Sequence, residues 1–166
     1  VLEEFMGVPV HPLLVHFPVV FVPLLALLTA GYVVVPFVRP HIRWVLGLLA
    51  LVAPGAAVLA KLSGEELFDR MDRRGDITEG FYPTIENHQS LGTWTMWATI
   101  ASGVLTLALV YFVGPRIAVW RLTDGTGWRR YQPMVLGVLS LVAAGISLYY
   151  VIRTGDSGAK AAWSGR

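Results

Sequence analysis

Apolar residues run almost unbroken through four stretches of the chain, residues 13–37, 44–62, 91–113 and 134–152, and polar residues gather between them. Each stretch is near the ~20 residues a helix needs to cross the hydrocarbon core of a bilayer. None alternates with a period of two, so the pattern predicts transmembrane helices and not barrel strands. The expected fold is all-α, an integral membrane four-helix bundle forming one domain over residues 1–166. The first stretch has the apolar character of a signal peptide but is too long, lacks a basic leader and has no small-residue cleavage pattern after it, so it reads as a retained helix.

The segment from Ser63 to Gln89 carries its own pattern. Ser63 and Glu66 have capping-box spacing, and Leu67, Phe68 and Met71 then fall opposite Glu65, Asp69, Arg70 and Asp72. This predicts a short interfacial helix on the membrane surface between helices two and three. Small residues mark the faces through which the long helices approach one another. Gly137, Ser140, Ala144 and Ser147 form such a stripe on helix four, Gly55, Ala56 and Ala57 lie beside Pro54 on helix two, and Ala98, Ala101, Ser102 and Gly103 lie on helix three. The helix-four stripe would also suit a homodimer. Pro18 and Pro23 interrupt the backbone bonding of helix one and can bend it beside His16. A faint repeat pairs LVAPGA at 51–56 with LVAAGI at 141–146, and helices one and three each open with a histidine. Two parallel hairpins related by an axis along the membrane normal would give that arrangement.

Composition agrees with the bilayer and removes other classes. Of the 166 residues 55% are hydrophobic and 14% charged, and the mean hydropathy is +0.60. There is no cysteine, hence no disulfide, thiolate metal site, iron–sulfur cluster or covalently attached haem. The formal charge of +2, without a basic stripe, does not suit nucleic acid. Four crossings return the carboxyl terminus to the side holding the amino terminus. The opposite side carries Arg39, Arg43, Arg116, Arg121, Arg129 and Arg130 in two short loops against Asp124 alone. By the positive-inside tendency that side is cytoplasmic, which leaves both termini and the histidines external to the cell membrane. Trp44, Trp120 and Trp128 fall toward one interface and Trp94, Trp97 and Trp163 toward the other, as in an aromatic belt.

The candidate chemistry lies in three histidines at helix entries, His11 and His16 in HPLLVHFP and His88 before the third apolar run. Ligating groups in membrane-length segments are costly unless packed, paired or coordinating. A b-type haem needs two axial imidazoles at similar depth on facing helices, with cationic groups nearby for its propionates. His11 and His88 meet the depth condition. His16 lies five residues along, about 7.5 Å deeper and about 140° around the helix, so His16 with His88 is the competing arrangement. Arg153 and Lys160 are candidates for the propionates, and Glu86 for orienting a ligand imidazole. Asp156 could bind a cation or accept from a histidine, or serve only the turn in GDSG. The bland alternative for the histidines is an interfacial role, bonding to backbone or lipid headgroups. Haem is favoured over zinc or copper because no HxxxH or HExxH spacing is present. His41, between Arg39 and Arg43 across the membrane, is not a ligand candidate, and Ser157 with Lys160 lacks the base and oxyanion donors of a hydrolase.

HPLLVHFP at 11–18, HQSLG at 88–92 and RTGDSGAKAAW at 153–163 together resemble the bacterial membrane family catalogued as domain of unknown function 2231. The resemblance covers nearly the whole chain in the same four-helix order. It implies that His11, His16 and His88 match the family pattern, and that Asp156 stands where many relatives have a further histidine. Relatives fused to Rieske-type or cytochrome c modules imply a redox setting by association. Two functions follow as expectations: an electron-transfer subunit holding haem b near the external face beside other respiratory subunits, or a non-catalytic accessory subunit of a larger membrane complex. A transporter is disfavoured because no charged residue falls in the middle of a span.

Overall fold

The structure, a computed structural model, describes residues 4–5, 7–114, 119 and 126–163. Arg116, Trp120, Arg121 and Asp124, which enter the charge bias and the aromatic belt, lie outside the described residues, as do Glu3 and Arg166. A two-residue antiparallel ribbon, β1 (Glu4–Phe5) with β2 (Val8–Pro9), turns at Gly7, whose φ of 80° suits glycine. There follow α1 (Val10–Leu14), α2 (His16–Val34), α3 (Arg39–Arg74), α4 (Tyr82–Phe112) and α5 (Gln132–Trp163), with short 3-10 turns at Pro36–Val38 and Gly127–Arg130. The break between α1 and α2 falls four residues before Pro18, because Pro18 has no N–H to offer the Leu14 carbonyl.

Among the described residues four helical spans are long and apolar enough to cross a bilayer, Val10–Val34 and the spans holding α3, α4 and α5, with only 28–39% of the residues in their apolar windows buried inside the bundle. The rest present Val20, Leu27, Leu51, Val104 and Ile152, among others, outward. An apolar exterior of that extent suits lipid and not water.

The expected interfacial helix is not a separate element. Residues 63–74 continue α3 as one helix, about 18 Å beyond its apolar stretch at 1.5 Å per residue. Ser63 caps nothing, since its hydroxyl donates to the Ala60 carbonyl 2.9 Å away. The extension is held instead by Phe68 against the Tyr82 ring and by Tyr82 donating to Asp72. It ends in a Schellman motif, in which Gly75 at φ 69° lets Asp76 N–H reach Met71 O and its own N–H reach Asp72 O.

In the bundle α2 and α4 each pack against both α3 and α5, and α2 meets α4 only lightly across the centre. The buried positions repeat. Shifting numbers by 77 carries Pro18, Val22, Leu25, Ala26, Thr29 and Tyr32 of α2 onto Thr95, Thr99, Ser102, Gly103, Thr106 and Leu109, all six buried residues of α4. Shifting by 94 carries Arg39, Leu46, Leu49, Ala50, Ala53, Ala57 and Ser63 of α3 onto buried Pro133, Ser140, Ala143, Ala144, Ser147, Val151 and Ser157 of α5. The two hairpins are thus pseudo-equivalent, with a register one helical turn away from the LVAPGA–LVAAGI match. A two-fold axis brings only its own neighbours onto their counterparts, and two such pairs touch: Thr29 with Thr106, hydroxyls 3.1 Å apart, and His11 with His88.

The end of the bundle away from the histidines is closed by Arg39, fully buried at the start of α3. It donates to the Tyr32 and Val33 carbonyls that α2 leaves without helical partners, and its guanidinium lies 5.4 Å from the Tyr32 ring centre. Arg43 does the same for Val110 near the end of α4, at 3.1 Å. Two of the six arginines of the charge bias, Arg39 and Arg43, therefore also hold helix ends.

Candidate functional site

His11 opens α1 and His88 lies on the second turn of α4, and their ring centroids stand 6.2 Å apart with planes at 76°. Each is buttressed by the helix of its own hairpin. His11 Nδ1 is 3.0 Å from Ala60 O and 3.1 Å from Ser63 Oγ, both on α3. His88 Nδ1 is 2.9 Å from Ser157 Oγ on α5.

These bonds fix the tautomers. Ser63 spends its proton on Ala60 O, and Ser157 spends its own on Thr154 O at 2.9 Å. Each serine oxygen can then only accept, so Nδ1 carries the proton in both rings and each Nε2 keeps a free lone pair. An Nδ1–H held by a carbonyl or hydroxyl, with Nε2 open, is how proteins prepare imidazole to bind a metal.

The next residue in each hairpin gives the rings room. A Cβ on Gly64 would come within 2.9 Å of His11 Cε1, and a Cβ on Gly158 within 2.9 Å of His88 Cε1. The half-sites are therefore His11 with Ser63–Gly64 and His88 with Ser157–Gly158, related by the same shifts of 77 and 94 as the helices that carry them.

The separation suits one atom shared between the rings. Two imidazole nitrogens each about 2.0 Å from a common metal and in line on opposite sides of it, with about 1.1 Å from nitrogen to ring centre, place the centroids about 6.2 Å apart. A direct N–H···N bond of ~2.9 Å would draw them nearer, to about 5 Å. The centroid spacing is that of two imidazoles sharing one metal atom in line between them. Among the described residues no group of three or more His, Cys, Asp and Glu could hold a metal ion, so any protein ligation here is by the two histidines.

The remaining candidates fall elsewhere. His16 is exposed at the start of α2, away from the pair, and Glu86 is exposed on α4. Asp156 bonds to neither histidine; its carboxylate pairs with Lys160 at 2.7 Å, one turn on. Arg153, Asp156 and Lys160, with Ser157 and Asn87, border an open groove of about 310 Å³ between α4 and α5, beside His88. His41 is on α3 at the opposite end. Gly64 and Gly158 escaped the sequence reading, and Ser63 and Ser157 were read only as a helix cap and as a rejected hydrolase serine, although the SG dipeptide recurs at 63–64 and 157–158 and could have revealed them.

The family model described as predicted membrane protein, DUF2231, matches residues 7–166. No curated protein and no solved structure matches the chain. The chain belongs to this family of multi-pass membrane proteins.

Proposed function

We propose that the protein is a small redox-associated membrane subunit in which His11 and His88 together ligate one metal centre on the pseudo-two-fold axis, and that this centre is b-type haem. The observation that carries the reading is the pair itself: two imidazoles of fixed tautomer, both with Nε2 open, at the spacing of a shared metal atom. Haem would supply one-electron transfer. His11 and His88 would hold it, with Ser63, Ala60 and Ser157 holding the rings, while Gly64 and Gly158 leave the flanks without side chains. Arg153 and Lys160, at the groove beside His88, would meet the propionates. The electron would be exchanged with a neighbouring respiratory subunit at the same end of the bundle.

The test is a visible absorption spectrum, air-oxidised and dithionite-reduced, with elemental analysis, on protein purified in mild detergent from haem-sufficient cells. A Soret band with sharp reduced α and β bands, lost in His88→Ala protein of unchanged helicity and elution volume, is the expected result. A colourless preparation with about one bound metal ion per chain would keep the two-histidine ligation and overturn haem. A colourless, metal-free preparation would overturn both and leave an accessory role.

A further inference from the structure

On the lipid side of the first hairpin, α2 and α3 leave an apolar groove of about 340 Å³ between them, within the range of small-molecule sites. Phe17 and Phe21 of α2 form one wall, and Val52, Gly55, Ala56 and Leu59 of α3 form the other. The groove opens outward, since Phe17, Val52, Gly55 and Leu59 are exposed. One end adjoins the histidine site: Leu59 precedes Ala60, whose carbonyl lies 3.0 Å from His11 Nδ1. From Leu59 the groove follows α3 for seven residues to Val52, about 10 Å.

The second hairpin shows what fills the same place. By the shifts of 77 and 94, Phe17 and Phe21 correspond to Trp94 and Ala98, and Gly55 and Ala56 correspond to Tyr149 and Tyr150. There Trp94 stacks on Tyr150, with ring centroids 6.1 Å apart and planes at 19°, and Tyr149 meets Tyr150 edge-on at 5.3 Å. Phe21 adds a ring that Ala98 lacks, 5.9 Å from Phe17, but α3 supplies none. The first hairpin therefore keeps an aromatic wall and lacks the rings that lie against it in the second. Packing within the chain does not account for Gly55, because a Cβ there would meet nothing within 4 Å, while α3 buries Ala50, Ala53, Ala57 and Ala60 against its neighbours.

The space sets three conditions on its occupant. It must arrive from lipid, present a flat face to Phe17 as Tyr150 does to Trp94, and carry no N–H or O–H, because every lining side chain is apolar and none could accept. An oxidised isoprenoid quinone meets all three. Its ring is flat and electron-poor, which suits the negative face of a phenyl ring, it has no hydrogen-bond donor, and its tail keeps it in the bilayer. A phospholipid acyl chain has no flat part to set against the phenyl wall. We infer that the groove seats the ring of a membrane quinone beside His11. The choice of a quinone rests on the redox reading of the histidine site, since quinones are the lipid-soluble electron carriers such a centre meets.

The experiment illuminates the full chain in phosphatidylcholine vesicles with a short-tailed azidobenzoquinone and maps the label by peptide mass spectrometry. The absorption spectrum is recorded on the same preparation. Label should fall on residues 14–21 and 52–59 and be displaced by excess decylubiquinone. Gly55→Tyr with Ala56→Tyr, which copies the second hairpin, should reduce it to the level left under excess competitor, with helicity and spectrum unchanged. Phe17→Leu should raise the decylubiquinone concentration needed for displacement about 2–10-fold. Val142→Phe, which adds a ring on the exposed face of α5, should label as the wild type. If the double variant misfolds, Ala56→Phe carries the test in its place. Labelling is read on coloured and colourless protein alike, so failure to bind quinone and failure to hold haem are separate results. Label spread along all four helices and not displaced would assign the groove to acyl chains and overturn the inference. So would displaceable labelling that persists in the folded double variant, or a wild-type dimer without displaceable label that the double variant splits, which would seat a second copy there.

Discussion

The two hairpins share a skeleton and differ in what they place on it. α2 with α3 and α4 with α5 bury matching positions, and each aims one histidine at the axis with a serine and a glycine behind it. Yet α2 fills the interior with Pro18, Val22, Leu25 and Ala26, whereas α4 fills the same places with Thr95, Thr99, Ser102 and Gly103. Where the halves agree, each brings an imidazole to the same junction, His11 from one and His88 from the other. Where they disagree, packing alone did not dictate the residue, because the other half packs without it. The opposite end diverges too: buried Arg39 has Pro133 as its counterpart.

Several substitutions would break or sharpen that comparison. The largest effect should come from Gly64→Val and Gly158→Val, because even a Cβ at either site would meet the imidazole Cε1 at 2.9 Å. Each should abolish metal binding by titration while the helical circular-dichroism signal persists, and the two should be equal in effect. Ser63→Ala and Ser157→Ala remove a ring-holding oxygen and should each weaken metal binding about 10–100-fold, again alike, in a binding isotherm. Thermal unfolding in detergent should show Arg39→Met costing about 1–3 kcal/mol through the α2 carbonyls it strands.

The smallest effects test the point where the halves differ in closeness. Gly103→Ala should cost about 1–3 kcal/mol in the same melt, since its Cβ would press on Ala50 O and Pro54. Ala26→Gly at the counterpart should cost no more than about 1 kcal/mol. Equal losses for Gly103→Ala and Ala26→Gly would mean the two helix contacts are equally tight after all.

The four helices were legible in the sequence because unbroken apolar length is a strong signal and the bilayer admits few alternatives to a helix. The continuous α3 was not. Ser63 with Glu66 spells a cap, but the helix never stops there, since the Ala60 carbonyl and the His11 ring occupy the Ser63 hydroxyl and no proline intervenes before Gly75. The pairing of His11 with His88 could be drawn from helix entries and depth, whereas the exposure of His16 depends on which face α2 buries. The glycines behind the pair were missed and the serines given other roles because serine and glycine are common throughout membrane helices, and their meaning emerges only from the offset between the hairpins. Asp156 reads in the sequence as a cation binder, a histidine acceptor or a turn residue in GDSG, but α5 runs through GDSG without a turn and helical geometry gives its carboxylate to Lys160 one turn away.

The central claim is that two equivalent half-sites share one centre. Its most direct test is to measure bound haem or metal per chain in wild-type, His11→Ala and His88→Ala proteins purified side by side. One equivalent per chain in the wild type, lost to the same extent in either variant, is the predicted result. Full occupancy in either single variant, or loss on substituting His16 but not His11, would contradict it.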